Sequence, residues 1–67
     1  MRTEWEESRI ASPQRYDYIV DGNFTAFISK RVDKWYAHVF DNDNSLDTYH
    51  DTLDEAKAVV VAQVAMR

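Results

Sequence analysis

The chain of 67 residues contains no cysteine. Disulfides and cysteine-ligated zinc are therefore excluded, and with them two of the staples that very small domains use for stability. Glycine and proline occur once each, at Gly22 and Pro13. One glycine cannot build a glycine-rich phosphate-binding loop. No apolar run reaches the roughly 18 residues that a membrane span requires. Residues 1–7 carry no apolar stretch, so no secretory signal is expected. Finally, no lysine or arginine lies between Lys34 and Lys57, whereas Asp41, Asp43, Asp47, Asp51, Asp54 and Glu55 all do.

What is present fits one small folded domain. A chain this short buries only roughly 60% of the surface that its unfolded form exposes. With 45% apolar and 13% aromatic residues, it is too rich in core-forming side chains for a disordered segment. The formal net charge is −4. Sequence-independent binding to phosphates needs lysine and arginine, so direct nucleic-acid binding is disfavoured and a basic protein surface is favoured. The absence of thiols fits a reducing cytoplasm.

Hydrophobic periodicity places the elements. Thr3 and Glu6 have the spacing of a capping box, which predicts a short helix or loose arm in residues 1–14, ended by Pro13 and anchored by Trp5 and Ile10. The single α+β domain then covers residues 15–67. Tyr16, Tyr18 and Val20 alternate as in a strand, and Asp21-Gly22 is a strong hairpin turn. Residues 24–32 and 35–41 read as two further strands joined at Asp33-Lys34. A loop at residues 42–45 leads to a short strand at residues 46–50. Thr52-Leu53-Asp54-Glu55 opens a helix that runs to the neighbourhood of Met66, with acidic residues at the positive end of its dipole. Leu53, Ala56, Val60 and Val64 share one stripe at helical spacing. The fold expected is α+β: a three- or four-stranded antiparallel meander with one C-terminal helix packed on one face.

Strict alternation divides the sheet. Phe24, Ala26, Ile28, Trp35, Ala37, Val39 and Leu46 fall on the face that suits a close-lying helix. Thr25, Phe27, Ser29, Tyr36, His38, Phe40 and Tyr49 fall on the other. Three covers compete for this aromatic face: the N-terminal arm, a protein partner or second copy, and stacked nucleic-acid bases. Arg15, Lys30, Arg31 and Lys34 would serve the last of these. On the helix, Val59, Ala62 and Met66 lie off the core stripe and form a candidate homodimer face.

Catalytic and metal-binding patterns fail when tested. Asp41-Asn42-Asp43-Asn44-Ser45 begins like an EF-hand loop, but Leu46 and Thr52 stand where the loop needs Gly and Glu. His38 and His50 are the only histidines, and they lack zincin spacing. No nucleophile has a base at a recognisable spacing. The expectation is a non-enzyme with no metal and no cofactor. The acidic run has two readings. It solvates a small protein, or it presents a phosphate-like surface to a basic cleft, with Asp41, Asp43, Asp47 and Asp51 supplying charge and Tyr36, Phe40 and Tyr49 supplying anchors.

The stretch Lys34-Trp35-Tyr36-Ala37-His38-Val39, followed by Thr52-Leu53-Asp54-Glu55-Ala56, resembles small phage-encoded proteins, in particular compact inhibitors of bacterial RNA polymerase. In size, acidity and lack of cysteine the chain is also similar to small anti-CRISPR proteins. Its outline resembles the three-stranded arm-type DNA-binding domain of phage integrases, a family that reads DNA with a basic sheet; here the sheet is flanked by acid. The resemblance implies a non-enzymatic inhibitor of a host nucleic-acid-handling protein, acting in a bacterial cytoplasm.

Overall fold

The computed structural model describes residues 2–8, 14–40 and 45–66. Five strands precede one helix: β1 (Thr3–Ser8), β2 (Arg15–Val20), β3 (Asn23–Arg31), β4 (Lys34–Val39), β5 (Leu46–His50) and α1 (Leu53–Ala65). The strands form one antiparallel sheet in the order β1-β2-β3-β4-β5. The α+β class and the C-terminal helix are as expected. The strand count is not, because Thr3–Ser8 is an edge strand rather than a helical turn. The capping-box spacing competed with an alternation of Trp5 between Glu4 and Glu6, and pairing to β2 decided it. Arg2 ties the strand's start to Asp21: its N–H donates to Asp21 Oδ1 at 2.8 Å, and its carbonyl accepts from the Asp21 N–H at 2.7 Å. Ile10 and Pro13 lie outside the described residues.

The β2–β3 turn is the Asp21-Gly22 pair, with φ of 51° and 80°. Positive φ at both central positions gives the turn a twist that matches the flanking strands. The β3–β4 turn centres on Val32-Asp33, one residue earlier than the sequence suggests, and leaves Val32 fully exposed.

One irregularity decides the chemistry of both faces. Tyr18 pairs with Ala26 but Ile19 pairs with Phe24, so Thr25 has no partner on β2. This is a β-bulge, in which one strand gains a residue and the alternation resets. Thr25 is buried, its hydroxyl donates to the Asn23 carbonyl at 3.0 Å, and its own carbonyl accepts from the Phe40 N–H at 3.0 Å. Phe24 consequently leaves the side of Ala26 and Ile28 and joins the opposite face, correcting the assignment made from strict alternation.

The core lies between the sheet and α1. Tyr18, Ala26, Ile28, Ala37 and Val39 meet Ala56, Val60 and Val64, all buried. Trp5, Tyr16, Val20, Trp35, Leu46 and Leu53 pack around them. Ala26 and Ala37 let the helix lie close, and Ile28 and Val60 are the largest side chains with no exposed surface. Burying each is worth about 1.5–3 kcal/mol. The helix begins as its sequence indicates: the Thr52 hydroxyl accepts from the Glu55 N–H at 3.1 Å, with Asp54 and Glu55 in the first turn. It rests on β3, β4 and β5. No helix among the described residues is long and apolar enough to cross a membrane.

Candidate functional site: the uncovered sheet face

The antiparallel register lays the second face out as rows running across the strands. One row is Glu6, Asp17, Phe27, His38 and Asp47. The next, towards the β3–β4 turn, is Ser8, Arg15, Ser29, Tyr36 and Tyr49. Arg31 and Lys34 pair beyond it. On the opposite flank of the first row stand Glu4, Ile19 and Phe24, with Phe40 beside them.

The rings touch as a continuous ridge. Phe24 and Phe40 have centroids 5.2 Å apart, Phe27 and Phe40 5.9 Å, Phe27 and Tyr36 5.9 Å, and Tyr36 and Tyr49 5.2 Å. These are ordinary distances for tilted and edge-to-face aromatic pairs. His38 sits within the ridge, 4.4 Å from Phe40 in an edge geometry. Phe24, Phe40 and Tyr49 remain 45%, 40% and 64% exposed. No described segment covers them. The described part of the N-terminal arm, Thr3–Ser8, does not close over this face: Trp5 projects to the other side, with its ring 4.6 Å from Tyr18 and the Lys57 ammonium above it.

Two arginines decorate the ridge. The Arg15 guanidinium lies 4.4 Å from the Phe27 centroid and 5.6 Å from that of Phe24, while its Nε pairs with Asp17 at 2.7 Å. Arg31 lies 5.1 Å from the Tyr36 ring. Lys30, in contrast, points to the helix side over Trp35. The basic set read from the sequence is thus split between the two faces.

The described acidic residues of this run differ in their local partners. Asp47 is on the uncovered face, where it accepts from the Tyr36 hydroxyl at 2.8 Å and contacts His38 Nδ1. Those hydrogen bonds, His38 first and Tyr36 second, hold its carboxyl below the usual aspartate range. The Tyr36 hydroxyl is correspondingly pushed up, chiefly by desolvation and then by its bond to Asp47. Asp51 pairs with Lys34, which lowers the carboxyl and raises the ammonium. Asp54 and Glu55 sit on the first turn of α1. Asp41 and Asp43 lie outside the described residues. Of the seven residues expected to meet a partner, Tyr36, Phe40, Asp47 and Tyr49 come together on one face. Asp51 is turned to Lys34.

Sequence reasoning missed Phe24, Glu4 and Glu6 as members of this face. Only the bulge brings Phe24 there, and only the edge strand brings the glutamates. Among the described residues no three His, Asp or Glu side chains are grouped to hold a metal ion. On the helix, Ala62 and Met66 are exposed and Val59 is half-buried. No protein-family model matches the chain, and no curated protein or solved structure matches it.

Proposed function

We propose that this chain is a non-catalytic interaction module that docks a protein partner on the uncovered face of its sheet. The observation that carries this reading is the ridge of Phe24, Phe27, Phe40, Tyr36 and Tyr49, in continuous contact opposite the helix, with Phe24, Phe40 and Tyr49 exposed. Contiguous aromatic surface of this kind is what interfaces use as anchors. The net charge of −4 favours a partner carrying basic side chains.

A narrower form is the inhibitor suggested by resemblance: occlusion of a basic cleft in a bacterial nucleic-acid-handling protein, in the cytoplasm. Its support is the overall acidity. The mimicry it invokes is weakened because Asp47 and Asp51 already hold hydrogen bonds within the protein. A second reading, single-stranded nucleic acid stacked on the ridge, is favoured by Arg15 and Arg31 on the same face. The charge balance opposes it.

The test is affinity capture from nuclease-treated bacterial lysate. Wild type, a Phe40→Ser/Tyr49→Ser variant and a Val61→Ser control on the helix are compared by mass spectrometry. The docking reading expects specific proteins held by wild type and by the control and lost with the double variant. Equal capture by all three would remove the ridge from the account. A low-salt gel shift at micromolar protein, positive only with the ridge intact, would instead select nucleic acid.

A further inference from the structure

The sheet ends at β1, and no described element lies beside its outer edge. The helix rests on β3, β4 and β5 and leaves this edge uncovered. The direction of the free backbone groups follows from Arg2, whose N–H and C=O both turn toward Asp21 on the β2 side. Alternation along a pleated strand then turns Glu4, Glu6 and Ser8 inward to β2. It leaves the N–H and C=O of Thr3, Trp5 and Glu7 facing outward. An open ladder of this kind is a template for another strand.

The side chains along the edge specify what that strand can be. Glu4 and Glu6 project on the ridge side, in register with Ile19 and Asp17. Trp5 projects on the helix side, half-buried, with Tyr18 and Lys57 as its ring neighbours. Proteins commonly guard such edges with charge. Here the guards are all of one sign, Glu4, Glu6 and Glu7, and that makes the guard selective. Two copies of β1 laid side by side would bring glutamates against glutamates on the same face, and directly opposed like charges are unfavourable. A strand with lysine or arginine at alternate positions would instead meet carboxylates on one face. The residue between them would reach the Trp5 ring on the other.

We infer that the β1 edge accepts an extended basic–apolar–basic segment of another protein by strand addition, with Glu4 and Glu6 pairing its cations and Trp5 its apolar residue. Backbone hydrogen bonds supply affinity in this mode and the alternate side chains supply specificity. The inference is independent of docking on the ridge. A basic strand on β1 leaves Phe27, Tyr36 and Tyr49 uncovered, and occupation of the ridge leaves the β1 amides free.

The experiment titrates labelled protein with the capped peptide Lys-Val-Lys-Val-Lys-Val and reads amide hydrogen exchange by NMR. The charge-reversed peptide Glu-Val-Glu-Val-Glu-Val serves as comparison. The lysine peptide is expected to slow exchange at Trp5 and Glu7 by about tenfold or more and to leave Glu4 and Glu6 unchanged, because their amides already face β2. The glutamate peptide is expected to do neither. A Glu4→Lys/Glu6→Lys variant should bind the lysine peptide about tenfold more weakly, with its fold verified by unaltered slow exchange at Ile28 and Val60. Unchanged exchange at Trp5 and Glu7 would overturn the inference. So would equal slowing by both peptides, since pairing would then ignore charge. Perturbation confined to Phe27, Tyr36 and Tyr49 would also overturn it, while supporting the ridge as the docking surface.

Discussion

The two faces of the sheet are built from the same strands and differ in what closes them. On one, small residues and aliphatics meet a helix: Ala26 and Ala37 make room, and Ile28 and Val60 fill it with no exposed surface. On the other, larger side chains lean on each other, on His38 and on two guanidinium groups, and no described segment lies across them. The first face has the economy of a core, where shape is fixed because every gap costs stability. The second is made of rings and arginines with a polar fringe of Asp17, Asp47, Glu4 and Glu6, the mixture on which the docking proposal rests. Among the described residues one helix faces a two-sided sheet, so where that helix lands decides which face stays uncovered.

The comparison can be broken most severely on the covered face. Val60→Asp would bury an unpaired charge, and loss of the folded state is expected, read as collapse of the cooperative unfolding transition in circular dichroism. Ile28→Ala should cost about 2–5 kcal/mol in chemical denaturation. The matching truncation on the uncovered face, Phe40→Ala, should cost under about 1.5 kcal/mol, because a partly exposed ring forfeits only part of its transfer energy. If the two truncations cost the same, the division into a packed core and an uncovered face is wrong. Thr52→Ala removes the hydroxyl that caps α1 and should cost about 1 kcal/mol, sensed only on the covered face. The smallest effect is electrostatic. Asp47 and Asp51 have carboxyls held below their ordinary value of 3.8 in the folded protein. Their contribution is therefore complete above that value and is lost as pH falls through the folded-state values. Thermal stability should drop at the acid end, and Asp47→Asn/Asp51→Asn should flatten that drop. An unchanged acid limb in the variant would show that these contacts carry no stability.

Much of the covered face was legible in the sequence. The capping sequence at Thr52, the helical stripe through Val60 and the Asp21-Gly22 turn each state their structure locally, and each stands where local chemistry puts it. The uncovered face was half legible. Phe27, Tyr36, His38, Phe40 and Tyr49 share it because period-two alternation holds through β4, β5 and most of β3. Phe24 does not follow, because a bulge is a property of two strands together: nothing in Asn23-Phe24-Thr25 alone says that Ile19 will skip a residue. The edge strand was hidden for a related reason. Glutamate is a poor strand former, and Thr3 with Glu6 mimics a helix start; only the ladder to Arg15–Val20 outweighs that preference. The carboxylates illustrate a third limit. Composition counts charges, but it cannot tell that Asp51 will meet Lys34 or that Asp47 will meet His38 and Tyr36.

The placement of the two tryptophans has a practical corollary. Trp5 and Trp35 both lie on the helix side, whereas the ridge rings are those of phenylalanine, tyrosine and His38, with no indole among them. Indole fluorescence should thus follow unfolding, and at Trp5 any change along the outer strand, yet stay silent when something settles on the ridge. Emission from Tyr36 and Tyr49 would report that second event, so an optical titration can assign an unknown ligand to one surface or the other without a single label.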